Sequence, residues 1–197
     1  MKSFIKEWGL FTLIVAIIII SRWLIWSPVT VDGHSMDPTL HDQERLIMYR
    51  TKDIDRFDIV VASEPDGNGK EKLIVKRVIG MPGDTLRFEN DVLYINDEKV
   101  DESYLKEYRD AFAEDKLQSI YSYNKQFQST AQIAPAFTLD SNFQPQFTVT
   151  ISEGQYFLLG DDRLVSLDSR QVGSFSKDAI QGKIIFRMWP LNRIGLF

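Results

Sequence analysis

The chain opens on an apolar run, WGLFTLIVAIIII from Trp8 to Ile20, which Ser21 and Arg22 interrupt and Trp23-Leu24-Ile25-Trp26 resumes. As a helix, Trp8 to Trp26 spans roughly 28 Å, close to the ~30 Å hydrocarbon core of a bilayer. The run is apolar on every side, unlike a surface helix with one buried stripe. Trp8, Trp23 and Trp26 stand at its ends, where indole rings favour the membrane interface, and Arg22 is near enough to the far end to snorkel. Lys2 and Lys6 precede the run and favour a cytoplasmic N-terminus. The pattern predicts a cytoplasmic tip and an uncleaved transmembrane anchor over residues 1–28, ended by Pro28, with everything after it outside. A cleaved secretory signal competes, but the run is long and no A-x-A site follows; so does a buried core helix.

Beyond Pro28 the period changes to two. Val29 and Val31 alternate with Thr30 and Asp32, and short β-branched runs follow at Arg45–Tyr49, Asp58–Ala62 and Lys72–Ile79. Pro65-Asp66-Gly67-Asn68-Gly69 and Asn90-Asp91 read as hairpin turns, the second between TLRFE and VLYIN. Phe147–Ile151 and Gln155–Gly160 flank Glu153-Gly154, and Gly182–Trp189 closes the series. Many short strands with turns between them predict a mainly β fold of folded-over antiparallel sheets or a partial barrel. Residues 102–146 break the pattern. They are rich in Gln, Asn, Ser, Tyr and Phe, with a short helix expected over Tyr104–Lys116. They read either as a small cap inserted into a β-rich core of residues 29–101 and 147–197, or as one long surface loop.

Composition narrows the chemistry. With 44% hydrophobic and 26% charged residues in 197, the chain is globular rather than disordered. A net charge of −5 argues against a nucleic-acid partner, which needs clustered Lys and Arg. The absence of cysteine excludes a thiol nucleophile, a disulfide framework and a Cys-ligated metal. Two histidines, His34 and His41, do not furnish a His-rich zinc site.

Three segments carry candidate chemistry. In Gly33-His34-Ser35-Met36-Asp37-Pro38-Thr39, Gly33 allows close backbone approach and Pro38 forces a turn after Ser35, so a hydroxyl can be exposed at a strand end. The bland alternative is a structural serine in a turn. In Lys76-Arg77-Val78-Ile79-Gly80-Met81-Pro82-Gly83-Asp84, strand alternation puts Lys76 on one face with Ile74 and Val78, and Arg77 on the other. If the Lys76 face is buried, desolvation lowers its pKa and makes the neutral amine available as a general base. The pattern alone leaves open which of the two is buried. The third segment, Gly160 to Arg170, is dense in Asp, Arg and Ser after an apolar strand, and alone reads equally as a polar turn held by ion pairs. His34 adjoins Ser35 and points to the opposite face, and no G-x-S-x-G elbow is present, so Lys76 is the best base available to Ser35.

An anchor, then G-H-S-M-x-P-T, then K-R-V-I-G-x-P-G-D, then G-D-x-x-x-x-S-x-D-S-R, resembles the type I signal peptidases in content and order over nearly the whole chain. The resemblance implies a Ser–Lys serine endopeptidase that removes signal peptides from exported preproteins at the outer face of the cell membrane. Small residues are preferred just before the cut and two positions earlier. It implies Ser35 as nucleophile, Lys76 as general base and Ser166 orienting the lysine. Asp168 and Arg170 would form a supporting ion pair, with Arg77 and Asp161 as further structural members. Gly33, Met36 and Pro38 would shape the turn and the substrate side. Neither metal nor organic cofactor is implied; the partners are signal peptides and membrane lipid.

Two positions depart from the family. Asp162 stands where Asn is usual, and Gly33 stands where some members carry a serine that helps hold the oxyanion. The oxyanion hole is then expected to rest on backbone N–H groups, that of Ser35 among them, with water. Gly33 and the short insertion look more like Gram-positive than Gram-negative members. The rival functions are a non-enzymatic, membrane-anchored assembly factor of the same fold, which would not need both Ser35 and Lys76, and a self-cleaving Ser–Lys protease, which would need an internal scissile loop.

Overall fold

A computed structural model of the protein describes residues 2–65 and 69–197, with side chains from residue 8 onward. A helix, α1 (Lys2–Leu24), leads into β1 (Trp26–Thr30), β2 (Arg45–Tyr49), β3 (Ile59–Pro65) and β4 (Glu71–Gly80). β5 (Thr85–Glu89), β6 (Val92–Ile95) and β7 (Glu98–Val100) follow. A helical segment with α2 (Lys106–Asp115) and α3 (Lys125–Ile133) comes next. The chain ends with β8 (Gln146–Thr150), β9 (Gln155–Leu159), α4 (Ser169–Val172), β10 (Phe175–Ser176), β11 (Ile180–Trp189) and β12 (Gly195–Leu196).

The expectation of antiparallel sheets holds. One sheet has the order β1-β2-β11-β3-β4-β9-β10, with β12 on β11, and a smaller one the order β7-β6-β5-β8. The expected runs become strands because alternation and turn chemistry agree. Asn90 and Asp91 both take positive φ, 48° and 69°, as a two-residue turn between right-twisted strands requires. β3 and β4 pair from Pro65↔Glu71 inward; the expected turn residues 66–68 between them lie outside the described residues. The Glu153-Gly154 turn does not close a hairpin. β8 pairs with β5 and β9 with β4, so this turn carries the chain from one sheet to the other.

The sheets meet over a core in which Ile79 of β4 and Phe157 and Leu159 of β9 face Leu86, Phe88, Leu93 and Ile95 of β5 and β6. At Gly80 the chain leaves the large sheet for the small one, and a Cβ there would lie 2.9 Å from Cβ of Phe157 and 3.0 Å from Leu86. Residues 102–146 are helical rather than one long loop, and close on their own core of Leu105, Leu117, Tyr121 and Phe137, all fully buried. The expected helix over Tyr104–Lys116 appears as a 3₁₀ turn, Ser103–Leu105, running into α2. α3 was not foreseen; Asn124 starts it by accepting the N–H groups of Gln126 and Phe127.

One boundary is corrected. Pro28 does not end the helix, which stops at Leu24; Pro28 lies inside β1 opposite Ile47. Pairing with β2 begins already at Trp26↔Tyr49, and β1 is an edge strand, where a residue without an N–H is tolerated. Along α1 the apolar side chains from Leu10 to Ile20 are exposed rather than packed on the sheets. Among the described residues, no helix is long and apolar enough to cross a membrane.

Candidate active site

Ser35 sits in the loop that leaves β1. Gly33 opens the loop with φ of +90°, which a residue bearing Cβ rarely adopts, and its N–H donates to Asp42 Oδ1 at 2.8 Å. Conformation, not crowding, requires this glycine: nothing lies within 4 Å of where its Cβ would be, contrary to the expected close approach. Met36 is 1% exposed and anchors the loop in the core beneath. Asp37-Pro38 is a cis peptide and turns the chain. His34 is engaged elsewhere, its Nδ1 hydrogen-bonded to Asp37 Oδ2 at 2.9 Å. Among the described residues no acceptor takes the Ser35 N–H.

β4 places Lys76 and Arg77 on opposite faces, as alternation requires, and both are buried, so the choice between them dissolves. One face of β4 packs against the sheet core around Val60 and Val78, the other against the core of the loop and second sheet. Lys76 Nζ donates to Ser35 Oγ at 2.7 Å. Burial brings the Lys76 pKa down to about 8; Asp168 and Glu64 oppose the shift, and the like charges of Arg170 and Lys72 add to it. An amine in this position exchanges its proton readily near neutrality, and the hydroxyl it needs is within hydrogen-bond reach.

The third segment supplies the framework. Asp161, fully buried, accepts from Arg77 Nε at 2.9 Å and Nη2 at 2.6 Å, and from Thr39 Oγ1 at 2.5 Å. This fork ties β4, the Ser35 loop and the end of β9 at one point. Arg77 also donates to the Phe57 carbonyl at 3.1 Å, and the Tyr104 ring lies 4.0 Å from its guanidinium. Asp168 accepts from Arg170 Nε and Nη2, both at 2.8 Å, and from the Gly160 N–H at 3.0 Å. Burial alone would raise the Asp168 pKa, but the Arg170 guanidinium outweighs it and holds the carboxylate low. Ser166 is buried beside Asp168. It completes no hydrogen bond by strict geometry, yet is near enough to favour the Asp168 anion. A bond from Ser166 to Lys76 is absent among the described residues.

Four participants went unread in the sequence. A Cβ on Gly160 would come within 2.4 Å of the Ser35 carbonyl oxygen and 2.2 Å of Ser166 Oγ, so glycine leaves room for the Ser35 backbone and the Ser166 side chain to meet there. The signal was present in G-D, where Asp161 drew the reading instead. The Tyr121 hydroxyl, from the inserted segment, donates to Asp162 Oδ1 at 2.5 Å. Arg187 Nη2 and Arg193 Nη2, near the C-terminus, donate to the Thr39 carbonyl at 2.6 and 3.3 Å, and both residues pair with buried Glu44. No local pattern points to these long-range partners.

Ser35 and Lys76 stand at one end of a cleft of about 490 Å³. Its walls are β1, at the sheet edge, and Lys72–Lys76 of β4, whose pairing with β9 starts only at Arg77. Val29, Val31, Met36 and Val75 make much of it apolar, and Phe127 of α3 reaches it from the inserted segment.

Residues 5–189 match the family model described as signal peptidase, peptidase S26. The chain is 58% identical to a signal peptidase I of Streptococcus pneumoniae serotype 4, over all of this chain and 98% of that one. It is 36% identical to a signal peptidase IB of Staphylococcus aureus strain COL, over 98% and 93% of the two chains. A crystal structure of a signal peptidase I from Enterococcus faecalis V583 is 28% identical, with a TM-score of 0.46 over 66% of this chain and 95% of that one.

Asp161→Ala leaves the Arg77 guanidinium buried without its carboxylate, and is expected to cost about 3–5 kcal/mol of stability. Urea unfolding of the detergent-purified protein measures this; a cost under ~1 kcal/mol would show that the pair is not the framework of the site.

Proposed function

Since the chain belongs to the signal peptidase family, peptidase S26, we propose that it is a membrane-anchored serine endopeptidase that cleaves signal peptides from exported preproteins with Ser35 and Lys76 as its dyad. The observation that carries this reading is the 2.7 Å contact between Lys76 Nζ and Ser35 Oγ at the end of an apolar cleft. Neutral Lys76 takes the Ser35 proton as Oγ attacks the scissile carbonyl carbon. The oxyanion meets the Ser35 N–H. The ammonium then gives its proton to the departing amine as the C–N bond breaks. Lys76 takes one proton from a water as its oxygen attacks the ester, then gives that proton to Ser35 Oγ as the acyl–Oγ bond breaks; the acid product keeps the other and ionises to solvent. Arg77, Asp161, Asp168 and Arg170 hold the dyad in place, while Ser166, which makes no bond to the lysine, acts only on Asp168.

The substrate enters as an added strand between the free edges of β1 and β4. In an extended chain alternate residues face the same way. The residue before the cut and the one two positions earlier then both point into the apolar floor of Val29, Val31 and Val75. That spacing agrees with the small-residue preference of the family. A non-enzymatic role is disfavoured, because it would gain nothing from a lysine buried against a serine.

The helix α1 is the anchor. It extends about 34 Å at 1.5 Å per residue, and its exposed Leu10–Ile20 side chains need an apolar environment. Lys2 and Lys6 keep its start in the cytoplasm, and the sheets lie outside the cell membrane. Holding enzyme and preprotein in one bilayer raises their effective concentration.

Three outcomes are expected. Ser35→Ala and Lys76→Ala each abolish processing of a preprotein, with losses of similar size, because the two act as a unit. A folded Lys76→Ala protein that still cleaves at a comparable rate would remove Lys76 from the mechanism. The active form carries neutral Lys76, so kcat/KM, measured on a substrate without groups titrating there, rises with pH through about 8 and levels above it. A rise only near the free-lysine value of ~10.4 contradicts the buried base. Protease added to protoplasts digests the domain after α1, and full protection of that domain contradicts the topology.

A further inference from the structure

Asp162, where the family usually has asparagine, is the one carboxylate of the third segment without a cation. Asp161 has Arg77 and Asp168 has Arg170, and no ion pair among the described residues involves Asp162. It is fully buried. Oδ1 receives the Tyr121 hydroxyl at 2.5 Å, and Oδ2 meets no hydrogen-bond partner. Its backbone N–H donates to the Ser35 carbonyl at 3.1 Å, and its own carbonyl accepts from the Ser166 N–H at 3.0 Å. One residue therefore joins the Ser35 peptide, the Ser166 peptide and the inserted helical segment.

We propose that Asp162 is a positioning residue for Ser35, through which Tyr121 of the inserted segment holds the nucleophile loop in register with Lys76. The proposal rests on the reading of Ser35 and Lys76 as the dyad. The contact is a polar anchor in a dry place. Tyr121 is itself fully buried, in the core of the inserted segment. The same segment reaches the loop a second time, where the Tyr123 and Phe127 rings lie 4.8 and 6.4 Å from the His34 ring. Ser35 is thus gripped by its neighbour's side chain and by its own carbonyl.

The uncharged carboxyl suits this setting better than the anion. Whichever oxygen carries its proton, the neutral acid leaves an unpaired polar atom but no net charge, which costs less than a bare oxygen bearing half of a buried anion. The groups facing it are Tyr121 and Tyr123 beside α3, Tyr108 of α2, and Asp37 of the Ser35 loop, none of them cationic. Neighbouring Arg163 is turned to Glu102. Burial pushes the Asp162 pKa up to about 7 and Asp37 adds repulsion, while the Tyr121 hydroxyl and the Leu164 and Val165 backbone N–H groups pull the other way without overcoming burial. Ionised Asp162 places a buried negative charge beside the loop that carries Ser35, where an oxyanion is also to form, so its loss of a proton opposes the gain from neutral Lys76.

The test compares Asp162→Ala, Asp162→Asn and Tyr121→Phe with the wild-type full-length chain on a preprotein. Asp162→Ala is expected to lower kcat by about 10- to 100-fold with little change in KM, and Asp162→Asn to recover most of it below pH 7. The ratio of kcat/KM for Asp162→Asn to that of wild type should climb as pH passes through about 7. A flat ratio overturns the uncharged-acid claim, and wild-type kcat in folded Asp162→Ala overturns positioning. Hydrogen exchange over residues 33–37 gives a readout independent of turnover. It should quicken in Asp162→Ala and Tyr121→Phe and stay near wild type in Asp162→Asn; no change in the first two overturns the proposal. If the wild-type protein processes no preprotein, the dyad reading fails by itself, and exchange still decides the role of Asp162.

Discussion

Taking the Lys76 ammonium out of water is the constraint around which the molecule is arranged. Bringing its pKa from 10.5 to about 8 corresponds to about 3 kcal/mol of preference for the neutral amine. The fold must supply a dry site without supplying a partner that would recharge the lysine. β4 does this by being covered on both faces at once. It also keeps the nearby acids occupied: Asp168 is committed to Arg170 and Asp161 to Arg77. The hydroxyl of Ser35 is left as the hydrogen-bonding contact of the amine.

The ion pairs are best understood as geometry rather than as stability. A buried pair recovers little beyond its own desolvation. What Arg77–Asp161 provides is a junction among strand, loop and turn that a greasy contact could not aim. Gly160 complements it by omission, since any side chain there would collide with the Ser35 carbonyl and the Ser166 side chain.

Much of the β framework was legible because two local signals coincided: period-two burial and turn residues suited to positive φ, as at Asn90-Asp91. β7, β10 and β12 were not, being two or three residues long with no period to detect. Lys76 was legible as an anomaly in an apolar run. Its rivalry with Arg77 was undecidable, because the pattern assumes one wet face and β4 has none from Lys76 onward. Asp162, Tyr121 and Arg187 were opaque for another reason. Their meaning lies in partners 41 to 148 residues away, and a tyrosine in a Gln- and Ser-rich stretch carries no local mark of the carboxyl it will meet.

The clamp on the Ser35 loop has a consequence for the order in which the enzyme becomes competent. Thr39 and Glu44 are held by Arg187 and Arg193, which follow both Ser35 and Lys76 by more than 100 residues in the chain. A nascent chain that already holds Ser35 and Lys76 still lacks the two guanidiniums that hold Thr39 and Glu44. The Ser35 loop thus stays unclamped until Arg187 and Arg193 have been made. A chain truncated before Arg187 would carry the whole proposed dyad and yet lack the clamp that seats it.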